Sequence, residues 1–395
     1  MTKTNWEAKQ INLGTAIVVA AITLAVGMIV GLNWKNLIRG YNSYLGTAEA
    51  YTVDWSELDE VYEKVARYYD GDVDQDEIIE GAKKGLVEAL GDTYSVYMDV
   101  EESEEFQNDL HGEVGAGIGV EMGLRDGYVR VLRTLPDNPA SEAGILAGDI
   151  FYKVDGEEVY ALSTDEISAK VKGEAGTEVT VTMVRDGEEK EFTLVREKIN
   201  NVSAYVDYDG TTAIVTVSRF DSDTGTMVQG FAEEFESKGI DKVILDLRNN
   251  GGGYVSAAKD LLSLWIDGEK VLIQKGKSAT DDVTYADRGK AILKGMKTIV
   301  LVNGSTASAS EITAAALQDY GLATIVGEQT FGKGVVQSLY ELSGNTLLKV
   351  TTAHWYSPND RSIHETGVTP DVEIERTYED INKMVDPQLD KALEL

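Results

Sequence analysis

The sequence reads as a multidomain α/β protein: an N-terminal transmembrane helix, a helical segment, a small β module and an α/β core. Three features carry that reading. Leu13–Leu32 (LGTAIVVAAITLAVGMIVGL) is free of charge and apolar enough to span a bilayer. Residues 111–197 form short alternating strands between glycine-marked turns. Beyond residue 198, Lys242–Leu247 (KVILDL) and Thr298–Asn303 (TIVLVN) are brief apolar runs of the kind buried parallel strands show. At 395 residues the chain is too long for one ordinary core.

The elements follow in order. No charge occurs from Gln10 to Trp34, and a soluble helix is rarely apolar on every face for that length. A cleaved signal peptide is the alternative, with Ala25-Val26-Gly27 as a poor small-residue site. The apolar run continues past it to Leu32, which favours an uncleaved anchor. Residues 1–12 then form a cytoplasmic tail, 13–32 the anchor and 33–54 a linker. A large acidic portion after a first hydrophobic segment is usually translocated, so the rest is expected outside the cytoplasm as part of a single-pass cell membrane protein. Residues 55–110 are helical: Trp55, Leu58, Val61, Tyr62, Val65 and Tyr69 recur at helical spacing. Asp74 and Glu77 mark a capping-box-like start for a second helix, whose stripe is Ile78, Ala82, Leu86 and Leu90. Packing is the expectation for both stripes.

In the β module, residues 111–197, Tyr128–Leu132 and Glu178–Val184 read as strands, and Asp155-Gly156 and Asp186-Gly187 as hairpin turns. The α/β core covers 198–376, with a strand at Thr212–Phe220 and helices at Thr224–Lys238 and Ala309–Tyr320. A further strand is expected at Ala323–Gly327. Residues 377–395 form a C-terminal helical segment, with a short helix from Pro387 to Leu395.

Composition excludes several functions. Lys and Arg total 36 against 68 Asp and Glu, a formal charge of -32, which repels phosphate backbones and argues against nucleic acid as a partner. With no cysteine, disulfides, thiol catalysis and a lipid-modified cysteine are ruled out. The three histidines, His111, His354 and His364, form no zinc-binding motif, and no cofactor is expected. His354 lies in an alternating strand and reads as an ordinary sheet residue. G-x-S-x-G is absent, which argues against an α/β-hydrolase.

A serine therefore needs a base other than histidine. In NGSTASASEI a strand runs into small residues and then a helix, and a serine there sits at free helical N–H groups that stabilise an oxyanion. In GEQTFGKGVVQ, Lys333 lies between Gly332 and Gly334, which permit close backbone approach. A desolvated lysine there has a lowered pKa, as a general base requires. An exposed turn lysine and a helix-capping serine are the plain alternative. In DLRNNGGG, Gly251-Gly252-Gly253 at a strand end frees N–H groups to face a substrate carbonyl.

Taken in series, these segments resemble the C-terminal processing peptidases, or tail-specific proteases, over nearly the whole soluble chain. ALGDTYSVYM looks like the family's helical-region signature, with Gly91-Asp92-Thr93 in place of its usual Asp-Pro. GAGIGVEM and NPASEAGILAGDIFYKVDG look like its PDZ domain. DLRNNGGG, NGSTASASEI, GEQTFGKGVVQ and TGVTPDVEI look like its peptidase core, a crotonase/Clp-protease-like α/β fold. The resemblance implies Ser308 as nucleophile, Lys333 as general base and Gln337, one helical turn later, as the residue that assists it. It also implies an oxyanion hole from the Ala309 N–H and a glycine of the triple run, Gly252 in first place and Gly251 beside it.

Gly117-Ile118-Gly119 resembles a carboxylate-binding loop, so the partners implied are protein substrates with free, apolar C-terminal tails; separately, the family resemblance suggests a homodimer. Lys172-Gly173 stands where many relatives have Arg-Gly, and lysine does not reproduce bidentate arginine pairing. Two rivals remain at this stage: a catalytically inactive membrane-tethered PDZ scaffold, and a different acyl-transfer enzyme such as an esterase.

Overall fold

A computed structural model describes residues 54–125, 127–277, 282–383 and 385–395, with a few positions between 18 and 31. The chain forms two compact units, Met1–Ile78 and Ile79–Leu395. The expected anchor, Leu13–Leu32, lies for the most part outside the described residues, and the linker almost wholly so. Among the described residues no helix is long and apolar enough to cross a membrane.

In the first unit, α1 (Ser56–Tyr68) forms where the helical spacing places it, but none of its residues is buried. Its stripe of Trp55, Leu58, Val61, Tyr62, Val65 and Tyr69 stays exposed, so the expectation of packing is corrected there. The N-terminus of α2 (Gln75–Glu88) is capped by Asp74, whose carboxylate accepts the N–H groups of Asp76 at 2.9 Å and Glu77 at 3.3 Å.

In the second unit the rest of α2 docks through its charged side rather than its apolar stripe, since Leu86 and Leu90 are exposed. Lys83 Nζ bonds Glu80 at 2.6 Å and the Tyr97 hydroxyl at 3.0 Å, while Lys84 Nζ bonds Asp99 at 2.9 Å and Glu102 at 3.0 Å. The same side of the helix carries its buried residue, Val87. Tyr97 belongs to β1 (Val96–Met98), which leads into α3 (Val100–His111). An Asp99–Glu102 capping box opens α3, and Gly112 closes it at φ +69°.

The β module contains β2 (Ala116–Gly117), β3 (Val120–Arg125), β4 (Tyr128–Thr134), α4 (Pro139–Glu142), β5 (Ile150–Val154) and β6 (Glu157–Glu158). It continues with α5 (Thr164–Val171), β7 (Glu178–Arg185), β8 (Glu188–Val195) and β9 (Glu197–Lys198). Its main sheet runs β3-β4-β5-β7-β8, with β6 on β5, and β2 pairs with β9. Both hairpin turns form as the dipeptides dictate. Asp155 and Gly156 take φ +49° and +80°, and Asp186 and Gly187 take +53° and +81°, the double positive φ of a type I′ turn. Ile118, Phe151, Ile167, Val181 and Met183 fill its separate core.

The α/β core starts with β10 (Ala204–Asp209), β11 (Thr212–Val217), α6 (Thr224–Lys238), β12 (Lys242–Asp246), α7 (Val255–Leu262), β13 (Lys270–Gly276) and β14 (Asp282–Tyr285). It goes on through β15 (Lys297–Val302), α8 (Ala309–Asp319), β16 (Thr324–Gly327), β17 (Val335–Glu341), β18 (Leu347–Tyr356) and β19 (Val372–Glu373). It closes with α9 (Tyr378–Asn382) and α10 (Pro387–Glu394). One sheet runs β10-β11-β12-β15-β16-β19, parallel except for the β10–β11 pair. Val243, Ile244 and Leu245 of β12 are wholly buried, as their apolar run requires, and Lys242 ahead of them is buried with its Nζ donating to Leu393 O at 2.6 Å. α6, α7 and α8 supply Phe235, Leu261 and Leu317 to one face. On the other face Leu389, Ala392 and Leu393 of α10 meet Ile244, Ile299 and Leu301. A second, antiparallel sheet runs β1-β18-β13-β14, with β17 also on β18. The ALGDTYSVYM segment thus adds an edge strand to it, and β18 carries His354 as the alternating pattern implied.

Candidate active site

Because β12 and β15 are parallel neighbours, the loops that follow them leave the same end of the sheet, where ligand sites of α/β folds gather. The two loops are stitched together. Thr306 Oγ1 donates to Leu247 O at 2.9 Å, Ala307 N to Asn250 O at 3.0 Å and Ser310 Oγ to Asn250 O at 3.0 Å. Buried Asn250 also donates Nδ2 to Val217 O at 2.7 Å.

Of the three serines in NGSTASASEI, Ser305 is exposed and Ser310 is buried with its hydroxyl spent on Asn250. Ser308 is half-buried and holds φ +57° immediately before α8, a conformation uncommon for a residue with a side chain. Among the described residues the Ala309 N–H has no acceptor. A Cβ on Gly252 would stand 2.8 Å from Ser308 Cβ and 3.0 Å from Ala309 N, so only glycine fits there. Its N–H, however, donates to Asn250 Oδ1 at 2.8 Å. The donor expected first for the oxyanion is therefore engaged, because the neighbouring amide reaches it. The N–H groups of Gly251 and Gly253 have no such partner.

Lys333 approaches this junction from the segment before β17. Gly332, at φ +89°, lies where a Cβ would come within 3.0 Å of the 365–367 backbone, and a Cβ on Gly334 would be 2.6 Å from His364. Close approach is thus what the flanking glycines allow. Trp355 fixes the segment, donating Nε1 to Lys333 O at 2.9 Å and its N–H to Gly334 O at 3.0 Å. The Lys333 ammonium lies 5.5 Å from the centre of the Tyr94 ring. Desolvation, then the nearby Lys349 charge, hold Lys333 below the usual lysine value, while Glu311 acts in the opposite direction. Lys349 is itself lowered by burial. No hydrogen bond joins Lys333 Nζ to Ser308.

Gln337 differs from expectation. It lies on β17, not a helical turn beyond Lys333, at a bulge where the register with β18 shifts. Its Nε2 donates to the carbonyl of Tyr94. Tyr94 thereby touches both the lysine and the glutamine.

The residue that sequence reasoning missed is Glu311, completely buried in the first turn of α8. Its Oε2 accepts the N–H of Ser308 at 2.8 Å and of Lys333 at 2.9 Å. Its Oε1 accepts the Thr330 hydroxyl at 2.6 Å and the Gly332 N–H at 2.7 Å. Burial raises its pKa while these four bonds pull it down. The Ser-x-x-Glu spacing of a capping box was the available signal.

In the β module, a groove of about 410 Å³ runs between the Gly117–Met122 segment and the end of α5. Among the described residues the N–H groups of Ile118 and Gly119 have no acceptor, while their carbonyls accept from Ala140 N and Leu135 N. Lys172 lines the groove. Buried Arg196 secures the adjacent helix end, donating to Val171 O at 2.8 Å and Lys170 O at 3.1 Å. Among the described residues, no group of His, Asp or Glu is placed to hold a metal ion.

Residues 211–374 match peptidase family S41, residues 116–195 the PDZ domain, and residues 24–102 the "Activating protease CtpB N-terminal domain". The chain is 32% identical over 380 residues to a "Probable CtpA-like serine protease" of Staphylococcus aureus (strain COL), covering 95% of this chain and 74% of that protein. A protein of the same description from Staphylococcus saprophyticus is 32% identical over 379 residues, 95% of this chain and 76% of its own. Among solved structures, the photosystem II D1 C-terminal processing protease aligns with a TM-score of 0.51 at 28% identity, covering 82% of this chain and 87% of its own. With the β module matched as a PDZ domain and the α/β core as a peptidase, the chain belongs to peptidase family S41, as a serine protease of the C-terminal processing type.

Proposed function

We propose that this serine protease is of the Ser–Lys type, with Ser308 as nucleophile and Lys333 as general base. The observation that carries the reading is Glu311, whose single carboxylate oxygen accepts the backbone N–H of both residues. Ser308 Oγ attacks the peptide carbonyl carbon while its proton passes to Lys333 Nζ. The resulting oxyanion is met by the Ala309 N–H and by an N–H of the Gly251–Gly253 run. For Gly252 this requires release from Asn250; Gly251 is already free. The C–N bond then breaks, the lysine ammonium protonates the leaving amine, and an acyl ester remains on Ser308. Water, deprotonated by Lys333, hydrolyses it. With Nε2 tied to Tyr94, Gln337 offers Oε1 to orient the lysine amine.

The PDZ groove, in this reading, holds the free C-terminus of a protein substrate on the N–H groups of Ile118 and Gly119. Leu13–Leu32 tethers the protein to the cell membrane with both domains outside the cytoplasm.

The pH profile tests the base. Neutral lysine is the active form, so the rate is expected to fall as pH drops through the lowered pKa of Lys333. The same shift means that the folded protein binds this proton more weakly than the unfolded chain. The resulting cost in stability is complete below the folded pKa and is relieved as pH rises toward the ordinary lysine value. Lys349→Met removes a charge that depresses Lys333, so the acid limb should move to higher pH. A chemistry-limited rate that is flat through neutral pH would count against a lysine base.

The tail is tested with matched peptides, one a free acid and one amidated. Amidation removes the terminal charge but leaves the main-chain hydrogen bonds of an added strand. The acid form should bind the full-length protein about tenfold more tightly, since bonds to a charged group are worth about 1.5–3 kcal/mol against about 1 for neutral ones. Equal binding and equal cleavage would remove the tail from the account and leave Ser308 and Lys333 in place.

A further inference from the structure

The PDZ groove is not lined by the PDZ domain alone. Ser218 and Arg219 of the peptidase core stand along it with Gly117, Ile118, Gly119 and Lys172. Arg219 follows β11, and its side chain is only 17% exposed. Nη2 donates to Asn201 O and pairs with Asp221 Oδ2 at 3.0 Å. Asp221 is held in turn, its Oδ1 accepting Asp223 N at 3.0 Å, Thr224 N at 3.1 Å and Thr224 Oγ1 at 3.0 Å. Gly112 backs the guanidinium so closely that a Cβ there would be 2.1 Å from Arg219 Cζ.

The planar group is therefore fixed on one side, yet its donors are not used up. Among the described residues, Nε is buried without an acceptor and Nη1 makes no hydrogen bond. The guanidinium is paired with Asp221, yet it keeps unspent N–H groups beside a groove with two unspent backbone N–H groups, and these donors can take a further acceptor. Lys172, the other cation on the groove, is a point charge and offers no planar fork.

We propose that Arg219 is a further tail-binding residue, supplied by the peptidase core to the PDZ groove, where it receives the substrate's terminal carboxylate. The proposal rests on the tail reading above. It ties the substrate tail and the catalytic loop to consecutive residues. Phe220, wholly buried, donates its N–H to Gly252 O at 2.9 Å and accepts the Tyr254 N–H at 2.8 Å. Gly252 is the glycine packed against Ser308 and Ala309.

The test measures binding of the acid and amide peptides to full-length Ser308→Ala protein, with and without Arg219→Gln or Arg219→Lys. Arg219→Gln is expected to weaken the acid peptide about tenfold and leave the amide unchanged, collapsing the preference. Arg219→Lys, which keeps the charge and guards against loss of folding, should retain part of it. Equal weakening of both peptides, or an intact preference in both variants, overturns the assignment and leaves Arg219 a strut between domains. If the protein with Arg219 in place shows no preference, tail recognition fails first, and the proposal with it.

Discussion

Replacing Ser308 by alanine, or Lys333 by alanine, is expected to lower proteolysis of an unstructured protein by roughly 10⁴-fold or more, with the fold retained. The two act in one proton transfer, so the double variant should be scarcely worse than either single one. Neither side chain is an element of the hydrophobic core, and Lys333 in its charged form costs stability, so thermal unfolding of Lys333→Ala should be no lower than that of the parent. Activity surviving in Ser308→Ala but lost in Ser305→Ala would move the nucleophile to Ser305, against its exposure.

Glu311→Gln is expected to damage both rate and stability, by a different route. The carboxylate faces four donors and no acceptor. An amide of the same shape must point its NH₂ at two of them. Each buried donor left without an acceptor costs about 1–3 kcal/mol, so the fold should lose roughly 2–6 kcal/mol. Both loops are then displaced, and a misplacement of about 1 Å costs about 10²-fold in rate. Thermal unfolding and kcat should fall together. A variant that unfolds normally and cleaves normally would show that Glu311 does not position the site.

Much of this was legible locally. Asp-Gly pairs specify their own turns, and KVILDL reads as a buried strand because it contains a strand's worth of apolar residues between breakers. Glycines around Lys333 announced close approach, and the structure shows what approaches. The rest was set at a distance. Tyr94 meets Gln337 across 243 residues, and Glu311 reaches Thr330, Gly332 and Lys333 across 19 to 22. Hydrophobic spacing reports that α1 and α2 are amphipathic, but not that the α1 stripe stays exposed or that α2 docks through Lys83 and Lys84. A count of glycines in the triple run does not say which N–H is engaged, because Asn250 decides it. Arg219 bears no motif; only the meeting of two domains along one groove gives it a ligand to seek.

Covalent capture tests the central claim most directly. The protein is treated with a fluorophosphonate, which phosphonylates an activated serine as its oxygen displaces fluoride from phosphorus, and the adduct is located by mass spectrometry of its peptides. The account predicts one adduct, on Ser308, that forms faster as pH rises and disappears in Lys333→Ala. An adduct on Ser305 or Ser310, or one on Ser308 that forms equally well without Lys333, would contradict it.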